Sequence, residues 1–275
     1  MKTVAIFGVG LIGGSFALAL RKAGFSGKIL GVSSPGTLEQ ALALNVIDEA
    51  AQPEQAARAA DLIYLSQPIL CIIESLPQIA AWIRPDALVT DAGSTKEQIV
   101  SRADEVLRPG QFLGGHPMAG RERRGVEAAE ADLFRGRPYA LTPRSPSQLE
   151  QPAPRDFLDW IRKIGAVPVV LDPVQHDCIV AFTSHLPQLA STALASLLAD
   201  RDEPKSRVFG PALIDSTRLA LSSFDIWGDI LATNRGPVQE ALRSYIARLE
   251  EFAAGLDRLR DEFDRGAKFA ASLRE

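Results

Sequence analysis

Three histidines are the side chains of this 275-residue chain best suited to move a proton near neutral pH: His116, His176 and His185. His116 stands between Gly115 and Pro117, in a segment that we predict to be a loop after a buried strand. In a doubly wound sheet, loops at the carboxyl ends of strands line the ligand crevice. His116 is therefore our candidate for the base that takes a proton from an alcohol. The plainer alternative is a structural histidine whose ring makes its hydrogen bonds within its own loop.

The other two histidines have simpler interpretations. His185 lies in a predicted helix beside Pro187 and is expected to line a domain interface. His176 is next to Asp177 and is expected to cap a helix or to pair locally.

Two more side chains extend this chemistry. Arg218 lies in a predicted helical stretch of mostly apolar and small residues. Its guanidinium could hold a substrate carboxylate through two parallel hydrogen bonds. A lone arginine is more often a surface residue. Ser94 could share the hydrogen bond of the substrate hydroxyl with His116, and with Glu97 three residues later it also matches a helix capping box.

Oxidation of an alcohol also needs a cofactor that accepts a hydride from the carbon bearing the hydroxyl. A glycine-rich turn near residue 10 could bind such a cofactor. The apolar run 4–7 leads into Gly8, Gly10 and Gly13 and then into an apolar, alanine-rich stretch. This strand–turn–helix pattern is typical of dinucleotide binding, because the helix N-terminus offers free N–H groups to a pyrophosphate. A glycine turn without a ligand is the alternative. The expected contacts of a nicotinamide cofactor are Gly8, Gly10, Leu11, Ile12, Gly13, Ser33, Ser34, Ser66 and Pro68.

The end of the second predicted strand bears on the choice between NAD and NADP. NAD enzymes usually carry Asp or Glu there, to hold the ribose hydroxyls. This chain carries Ser33 and Ser34, so nothing there repels a 2′-phosphate, but no arginine follows immediately to bind one. NADP is therefore permitted, and NAD is not excluded.

The elements that must position these residues change character near residue 172. Before it, strands alternate with helices, which predicts a mainly parallel, doubly wound sheet. The predicted strands are 2–7, 28–32, 61–66, 87–91, 112–114, 139–142 and 167–171, the predicted helices include 14–23, 38–44, 56–60, 69–82 and 156–164, and 143–154 is a predicted surface loop. After it we predict only helices, over about 175–200, 205–221, 224–233 and 237–265. The expected fold class is α/β, with an N-terminal Rossmann domain (1–172) followed by an all-helical C-terminal domain (173–275).

The last predicted helix carries a narrow apolar seam whose spacing alternates four and three residues, as in a coiled coil. Its members are Val238, Leu242, Tyr245, Leu249, Phe252, Leu256, Leu259 and Phe263. The seam can pack within the chain or pair two subunits, so the helical domain is a candidate dimerisation domain and a homodimer is expected.

Composition narrows the class of protein. The chain is 46% hydrophobic and 23% charged, with a net charge of −4, which suits a globular protein and gives no reason to expect nucleic acid. Cys71 and Cys178 lie among apolar residues and are predicted to be buried thiols in a reducing compartment, the cytoplasm. We expect no membrane span, since the most apolar long stretch, 178–198, carries polar residues and a proline, and no metal site.

Five motifs together resemble a known family. They are GVGLIGGS at 8–15, DAGSTK at 91–96, GGHPMAG at 114–120, SHLP at 184–187 and DIWGD at 225–229. In content and order they resemble the prephenate/arogenate dehydrogenases, the TyrA family of tyrosine biosynthesis. The resemblance implies oxidative decarboxylation of prephenate to 4-hydroxyphenylpyruvate, or of arogenate to tyrosine, with hydride transfer to NAD or NADP. It also implies a Rossmann domain followed by a helical domain that forms a homodimer.

The resemblance further implies roles for single residues. His116 matches the histidine that hydrogen-bonds the ring hydroxyl, and Ser94 matches the serine that assists it. Glu122 matches an acidic residue tied to substrate binding, and Arg218 matches the arginine that binds a substrate carboxylate. Trp227 matches an aromatic residue near the pocket, contributed through the dimer.

One position departs from the family pattern. Where many prephenate-specific members have His-Leu-Pro-His, this chain has His185, Leu186, Pro187 and Gln188. Both His185 and Gln188 are expected substrate contacts, but Gln188 cannot carry a positive charge and would hold an anionic pyruvyl side chain less strongly. Arogenate, or both substrates, therefore becomes more plausible, and tight inhibition by tyrosine less so.

Two other functions stay open from sequence. One is a different Rossmann-plus-helical dehydrogenase, such as a 3-hydroxyacid dehydrogenase or an imine reductase. Such enzymes normally use a lysine of the helical domain, and Lys205, in the Pro- and charge-rich segment 200–207, is a poor candidate. The other is a non-catalytic dinucleotide sensor, which would need no base near the nicotinamide.

Overall fold

A computed structural model describes residues 1–120, 123–200 and 209–274 of the chain. The first part alternates strands and helices. Its elements are β1 (Thr3–Phe7), α1 (Leu11–Lys22), β2 (Lys28–Val32), α2 (Pro35–Ala43), β3 (Glu49–Ala50), α3 (Pro53–Ala59), β4 (Leu62–Leu65), α4 (Ile69–Trp82), β5 (Leu88–Asp91), α5 (Glu97–Val106), β6 (Phe112–Pro117), β7 (Pro138–Thr142), α6 (Pro152–Lys163) and β8 (Val167–Val170). In the second part the described elements are α7 (Pro173–Val180), a π-helical turn (Ala181–His185), α8 (Leu186–Ala199), α9 (Pro211–Thr217), α10 (Phe224–Thr233), α11 (Arg235–Ala254) and α12 (Arg260–Ser272).

The strands form one eight-stranded sheet in the order β3-β2-β1-β4-β5-β6-β7-β8. All neighbouring pairs are parallel except β6 and β7, which are antiparallel. The prediction of a mainly parallel, doubly wound sheet is confirmed. Helices bury both faces, and Phe16 of α1 stacks on Tyr64 of β4 with ring centroids 4.0 Å apart. The strand order reverses between β1 and β4, which places a ligand crevice at the carboxyl ends of these strands.

The predicted bounds of β2, α4 and α10 match the structure, while three stretches near prolines differ from prediction. Helix α2 begins at Pro35 rather than at residue 38, and α3 begins at Pro53 rather than at residue 56. The predicted surface loop 143–154 is wrong, because it contains a 3₁₀ turn (Pro146–Glu150) with buried Gln148 and the start of α6 at Pro152. Proline is well accommodated in the first turn of a helix, where its missing N–H leaves no bond unmade.

The single long helix predicted over 237–265 is wrong. Helix α11 ends at Ala254, and Gly255 leads through a short 3₁₀ turn (Leu256–Arg258) to α12. Glycine is unfavourable inside a helix, and here it marks the break. The predicted seam is therefore divided between two helices, and its members Leu256 and Phe263 are 74% and 72% exposed.

The prediction that both cysteines are buried is also wrong. Cys71 on α4 and Cys178 on α7 are exposed free thiols. Ile72, one residue after Cys71, and Val180, two residues after Cys178, lie on the buried faces of the same helices. A helix turns 100° per residue, so residues one or two positions apart can face different surroundings.

None of the described helices is both long enough and apolar enough to cross a membrane.

Candidate active site

The crevice at the carboxyl ends of β1, β2 and β4 is lined by the residues predicted to bind a cofactor. One cavity, of ≈ 470 Å³, is walled by Gly8, Gly10, Ser33, Ser34, Thr37, Ser66, Pro68 and neighbouring residues. An adjoining cavity shares several of these and adds Leu11, Ile12, Ser94, Arg123 and Arg124 among others. Gly13 lies behind these walls, where a Cβ atom would stand 2.2 Å from the carbonyl oxygen of Gly8. Gly13 therefore permits the helix to pack tightly on the turn.

The geometry of the glycine turn suits a dinucleotide. Gly8 has φ +93°, and a Cβ atom there would lie 2.7 Å from the carbonyl oxygen of Ser66. A Cβ atom on Gly10 would meet nothing within 4 Å, so the backbone there faces open space. Gly10 is also the N-cap of α1, and no side chain caps its first N–H groups. Such a helix end can receive a pyrophosphate.

His116 lies inside strand β6 rather than in the loop that we predicted. Its backbone pairs with Ala140 of β7, because the antiparallel register continues as far as Pro117. The side chain is 8% exposed. Ser94 is half-buried and lines the second cavity. Neither cavity is lined by the other predicted site residues His116, His185, Gln188, Arg218 and Trp227.

The predicted capping box of Ser94 and Glu97 is wrong. Helix α5 begins at Glu97, and no side chain of its own segment caps it. The carboxylate of Asp177, on α7 of the helical domain, instead accepts hydrogen bonds from the backbone N–H groups of Lys96 (2.7 Å) and Glu97 (2.9 Å). A charged acceptor at a helix N-terminus satisfies these donors more strongly than a hydroxyl does. Ser94 is thereby left with its hydroxyl unused as a cap.

A chain of three side chains runs behind the candidate base. Nδ1 of His116 lies 2.8 Å from Nε2 of His176, and Nδ1 of His176 lies 2.7 Å from Oδ1 of Asp177. The local pairing predicted for His176 is confirmed by its bond to Asp177. The contact with His116, which is 60 residues away, was not predicted. The only signal for it was the presence of a second histidine beside an acid.

With His176 neutral, this chain determines which nitrogens carry protons. A carboxylate can only accept, so Nδ1 of His176 donates to Asp177. In a neutral His176, Nε2 must then accept, and Nδ1 of His116 donates to it. The remaining nitrogen of His116, Nε2, keeps a lone pair and can accept a proton.

The surroundings keep His116 neutral. Burial lowers the pKa of His116 well below the usual value of 6.5, and the nearby His176, Lys96 and His185 lower it further. A neutral imidazole is the form that a general base requires.

A buried ion pair holds the backbone just before His116. Lys96 and Asp91 are fully buried and bonded to each other through Nζ and Oδ2. Nζ of Lys96 also donates to the carbonyl oxygen of Gly115 (2.8 Å), and the N–H of Gly115 donates to Oδ1 of Asp91 (3.0 Å). Burial lowers the pKa of Lys96, while Asp91 opposes this effect. This role was not predicted for either residue, although both stand in the DAGSTK motif.

His185 is held by Asn234 at the start of α11. Nδ2 of Asn234 donates to the carbonyl oxygen of Asp177 (2.8 Å) and lies 3.2 Å from Nδ1 of His185. Because this amide group can only donate, Nδ1 of His185 accepts and Nε2 carries the proton. Trp227 of α10 packs edge-on against the His185 ring of the same chain, with centroids 5.8 Å apart.

We expect His185 to make the protein less stable in mild acid. Burial is the main reason that the pKa of His185 falls from 6.5 to about 4. Between these values the unfolded chain binds a proton that the folded protein does not, so stability is lost as the pH falls below 6.5. Urea titrations at pH 7.5 and 5.0 should show that His185 contributes about 2 kcal/mol to the loss. The loss should be smaller in His185→Gln, and an equal loss in both proteins contradicts the prediction.

Gln188 supports the turn that begins at Arg218. It is 5% exposed, and its Nε2 donates to the carbonyl oxygen of Leu219 (2.8 Å) and to the hydroxyl of Thr192 (3.2 Å). Arg218 is exposed at the end of α9, where a 3₁₀ turn (Arg218–Leu221) follows. Two residues discussed from the sequence, Glu122 and Lys205, lie outside the described residues.

No group of three or more His, Cys, Asp or Glu in the described part of the chain is arranged to hold a metal ion.

Comparisons with known proteins agree on one family across both parts of the chain. Residues 16–169 match the model of the prephenate dehydrogenase nucleotide-binding domain, and residues 172–274 match that of the prephenate dehydrogenase dimerization domain. Prephenate dehydrogenase of Lactococcus lactis is 32% identical over 92% of this chain and 71% of that protein. The structure of prephenate dehydrogenase from A. aeolicus, in complex with hydroxyphenyl propionate and NAD+, has a TM-score of 0.89 and 30% identity, covering 100% of this chain and 99% of that one. Synechocystis arogenate dehydrogenase has a TM-score of 0.81 and 28% identity over 99% and 98%.

Proposed function

This chain belongs to the prephenate dehydrogenase family, and from that membership we propose the roles of its residues. The family reaction is the NAD(P)-linked oxidative decarboxylation of prephenate, arogenate or both, in tyrosine biosynthesis. The observation that carries our proposal is the 2.8 Å contact between Nδ1 of His116 and Nε2 of His176. With a neutral His176, Nδ1 of His116 donates in this contact, and Nε2 of His116 is left as a proton acceptor. Family membership sets aside the two alternatives considered from sequence.

His116 takes the proton of the ring hydroxyl and later returns it. When bound, the nicotinamide cofactor accepts the hydride from the carbon that bears this hydroxyl. As the hydride leaves, the O–H bond breaks and Nε2 of His116 binds the proton. As the ring carboxylate leaves as CO2, its electron pair enters the ring, and the oxygen recovers the proton from His116. The phenol product thus keeps the proton, and no net proton is consumed.

The other predicted residues hold the substrate. Ser94 lines the cavity beside the glycine turn and shares the hydrogen bond of the ring hydroxyl. His185 is neutral with a proton on Nε2, so it can donate to a substrate carboxylate. Arg218 binds a carboxylate, Glu122 assists at the substrate, and Trp227 orders His185 by packing against its ring.

Arg218→Ala should raise KM for the substrate far more than it lowers kcat. A carboxylate contact that is equally strong in the ground state and the transition state affects binding alone. Initial rates at varied substrate, with cofactor saturating, measure this split. Arg218→Lys is the matched control, because it keeps the charge and loses the two-point geometry, and its KM should lie in between. An unchanged KM in Arg218→Ala removes the clamp role.

Gln188 favours arogenate as a substrate alongside prephenate. Its amide N–H groups are engaged by Leu219 and Thr192, so the amide oxygen is the group left to face a ligand. An oxygen acceptor suits the ammonium group of the arogenate side chain and offers no charge to the pyruvyl group of prephenate.

Gln188→His should move the preference toward prephenate. We expect the ratio of kcat/KM for prephenate to that for arogenate to rise about tenfold, equivalent to one charge-assisted hydrogen bond. Gln188→Asn, which shortens the side chain without adding charge, should leave the ratio within about threefold. A ratio that does not respond to histidine contradicts the assignment of Gln188 as a specificity residue.

The cofactor is proposed to be NADP as well as NAD. Ser33, Ser34 and Thr37 offer hydroxyl groups to a 2′-phosphate, and no acidic residue stands among 33–37 to repel it. Arg123 and Arg124 line the adjoining cavity and add positive charge. NAD remains a substrate in this proposal, in keeping with the NAD+ complex of the A. aeolicus protein.

One experiment tests the proposed function as a whole. The protein is mixed with prephenate or arogenate and with NAD+ or NADP+, and reduced nicotinamide is followed by absorbance. We expect turnover of both substrates and both cofactors. Turnover of prephenate alone contradicts the proposal for Gln188, and turnover with NAD+ alone contradicts the proposal for the 33–37 segment.

We further propose a domain boundary at residue 172 and a homodimer in the cytoplasm. Residues 172–274 match a dimerisation domain, and exposed apolar side chains such as Phe224, Phe263 and Phe269 lie in it. Two free, exposed cysteines suit a reducing compartment. Sedimentation velocity tests the assembly, and a monomer at micromolar concentration contradicts it.

A further inference from the structure

We propose that His176 and Asp177 form a proton relay behind His116, so that the proton charge comes to rest on His176 during hydride transfer. The inference rests on the proposed role of His116 as the base. As Nε2 of His116 binds the substrate proton, the Nδ1–H bond of His116 breaks, and that proton moves to Nε2 of His176. Both transfers reverse when CO2 leaves, so protons balance over the whole reaction.

The geometry permits this second transfer. The two nitrogens are 2.8 Å apart, within the range of an ordinary hydrogen bond, and the imidazole rings meet at 70°. His176 and Asp177 are each about 1% exposed, so bulk water does not compete for the proton.

The charges around His116 give the relay its advantage. A positive charge left on His116 would lie in a buried site near Lys96 and His185, and burial together with these neighbours disfavours it. Asp91 cannot offset that charge fully, because it is already paired with Lys96. On His176 the same charge lies 2.7 Å from the carboxylate of Asp177. In a buried site, opposite charges at this distance attract strongly.

Asp177 is well fixed for this task. Its two carboxylate oxygens accept from the backbone N–H groups of Lys96 and Glu97, at the N-terminus of α5. These bonds hold the carboxylate in place both before His176 is protonated and while it carries the positive charge.

His176→Gln separates a relay from a simple orienting bond. The amide oxygen of glutamine can accept from Nδ1 of His116 and keep its tautomer, but it cannot bind the proton. If the relay operates, kcat should fall by about 10²-fold, the size of a general-base contribution, and KM should stay within about threefold. If His176 only orients His116, kcat should stay within about threefold of the wild type.

A proton count on the wild-type protein needs no variant. Single-turnover hydride transfer is followed by absorbance in mixtures of H2O and D2O. Two protons in motion give a curved dependence of the rate on the deuterium fraction, and one gives a straight line. We expect a curve for the wild type and a straight line for His176→Gln. A straight line, or no solvent isotope effect, in the wild type overturns the relay.

Thr233→Val is the matched structural control. It removes the buried bond between the Thr95 and Thr233 hydroxyls (2.8 Å), which joins the same two domains outside the relay. It should lower the melting temperature yet keep kcat and the curved isotope plot. A fall in kcat like that of His176→Gln would mean that loosened packing explains both, and would overturn the relay. If His116→Ala keeps its turnover, the proposal that His116 is the base fails. If His116→Ala loses its turnover while His176→Gln keeps it, only the relay is refuted.

Discussion

His116→Ala should lower kcat by about two to four orders of magnitude while cofactor affinity stays nearly unchanged, because a lost general base removes that much. The substrate hydroxyl would then have no base beside it, in a site where position 116 is only 8% exposed in the unaltered protein. The cofactor crevice is built from the glycine turn and the ends of β1, β2 and β4, so it does not depend on the imidazole.

Steady-state rates give kcat, and quenching of protein fluorescence by the reduced cofactor gives its affinity. His116→Gln is the matched variant, since its amide can still bond to His176 but is no base at neutral pH. We expect both variants to be equally slow. Turnover within threefold of the wild type in either one removes His116 from the mechanism.

The residues identified from sequence are those whose signal is local. The glycine turn, the strands around it and the GGHPMAG segment each specify a short stretch of chain, and the structure places the predicted cofactor contacts around one crevice, with Gly13 just behind it. The prediction for His116 rests on the same kind of local signal. Its strand is longer than predicted, because its pairing with β7 depends on residues 138–142.

What sequence analysis missed depends on contacts between distant residues. Ser94 and Glu97 form a good capping box by spacing, but Asp177, 80 residues later, supplies a charged cap that replaces it. The bond between His116 and His176 likewise joins two domains. Propensity and spacing describe the chain near one residue and cannot show which side chain a distant helix will bring.

Asp177 makes hydrogen bonds with residues of both domains. It caps α5 of the first domain, bonds to His176 on its own helix, and through its backbone carbonyl accepts from Asn234. Asn234 in turn fixes His185. One residue thus links the helix that follows Ser94, the relay behind His116 and the proposed carboxylate donor His185.

Lys96→Met should lower the free energy of unfolding by about 3–5 kcal/mol, because it leaves the Asp91 carboxylate buried without its partner. Both side chains are fully buried, so water cannot take the place of the ammonium group. The backbone of Gly115 also loses a donor to its carbonyl oxygen, and the segment carrying His116 becomes less well fixed. Urea unfolding measures the stability, and kcat should fall together with it.

The double variant Lys96→Met, Asp91→Asn decides whether the unpaired charge is the cause. Asparagine keeps an oxygen that can accept from the N–H of Gly115 and carries no charge, so most of the lost stability should return. A surface pair serves as the comparison: Arg58→Met breaks the exposed Arg58–Glu54 pair on α3 and should change stability little. Equal losses in the single and the double variant would show that Lys96 stabilises the protein by packing alone. Recovery of stability in the double variant would instead show that an uncharged pair stabilises the fold nearly as well. The ion pair would then be retained for its hydrogen bonds to the backbone of Gly115.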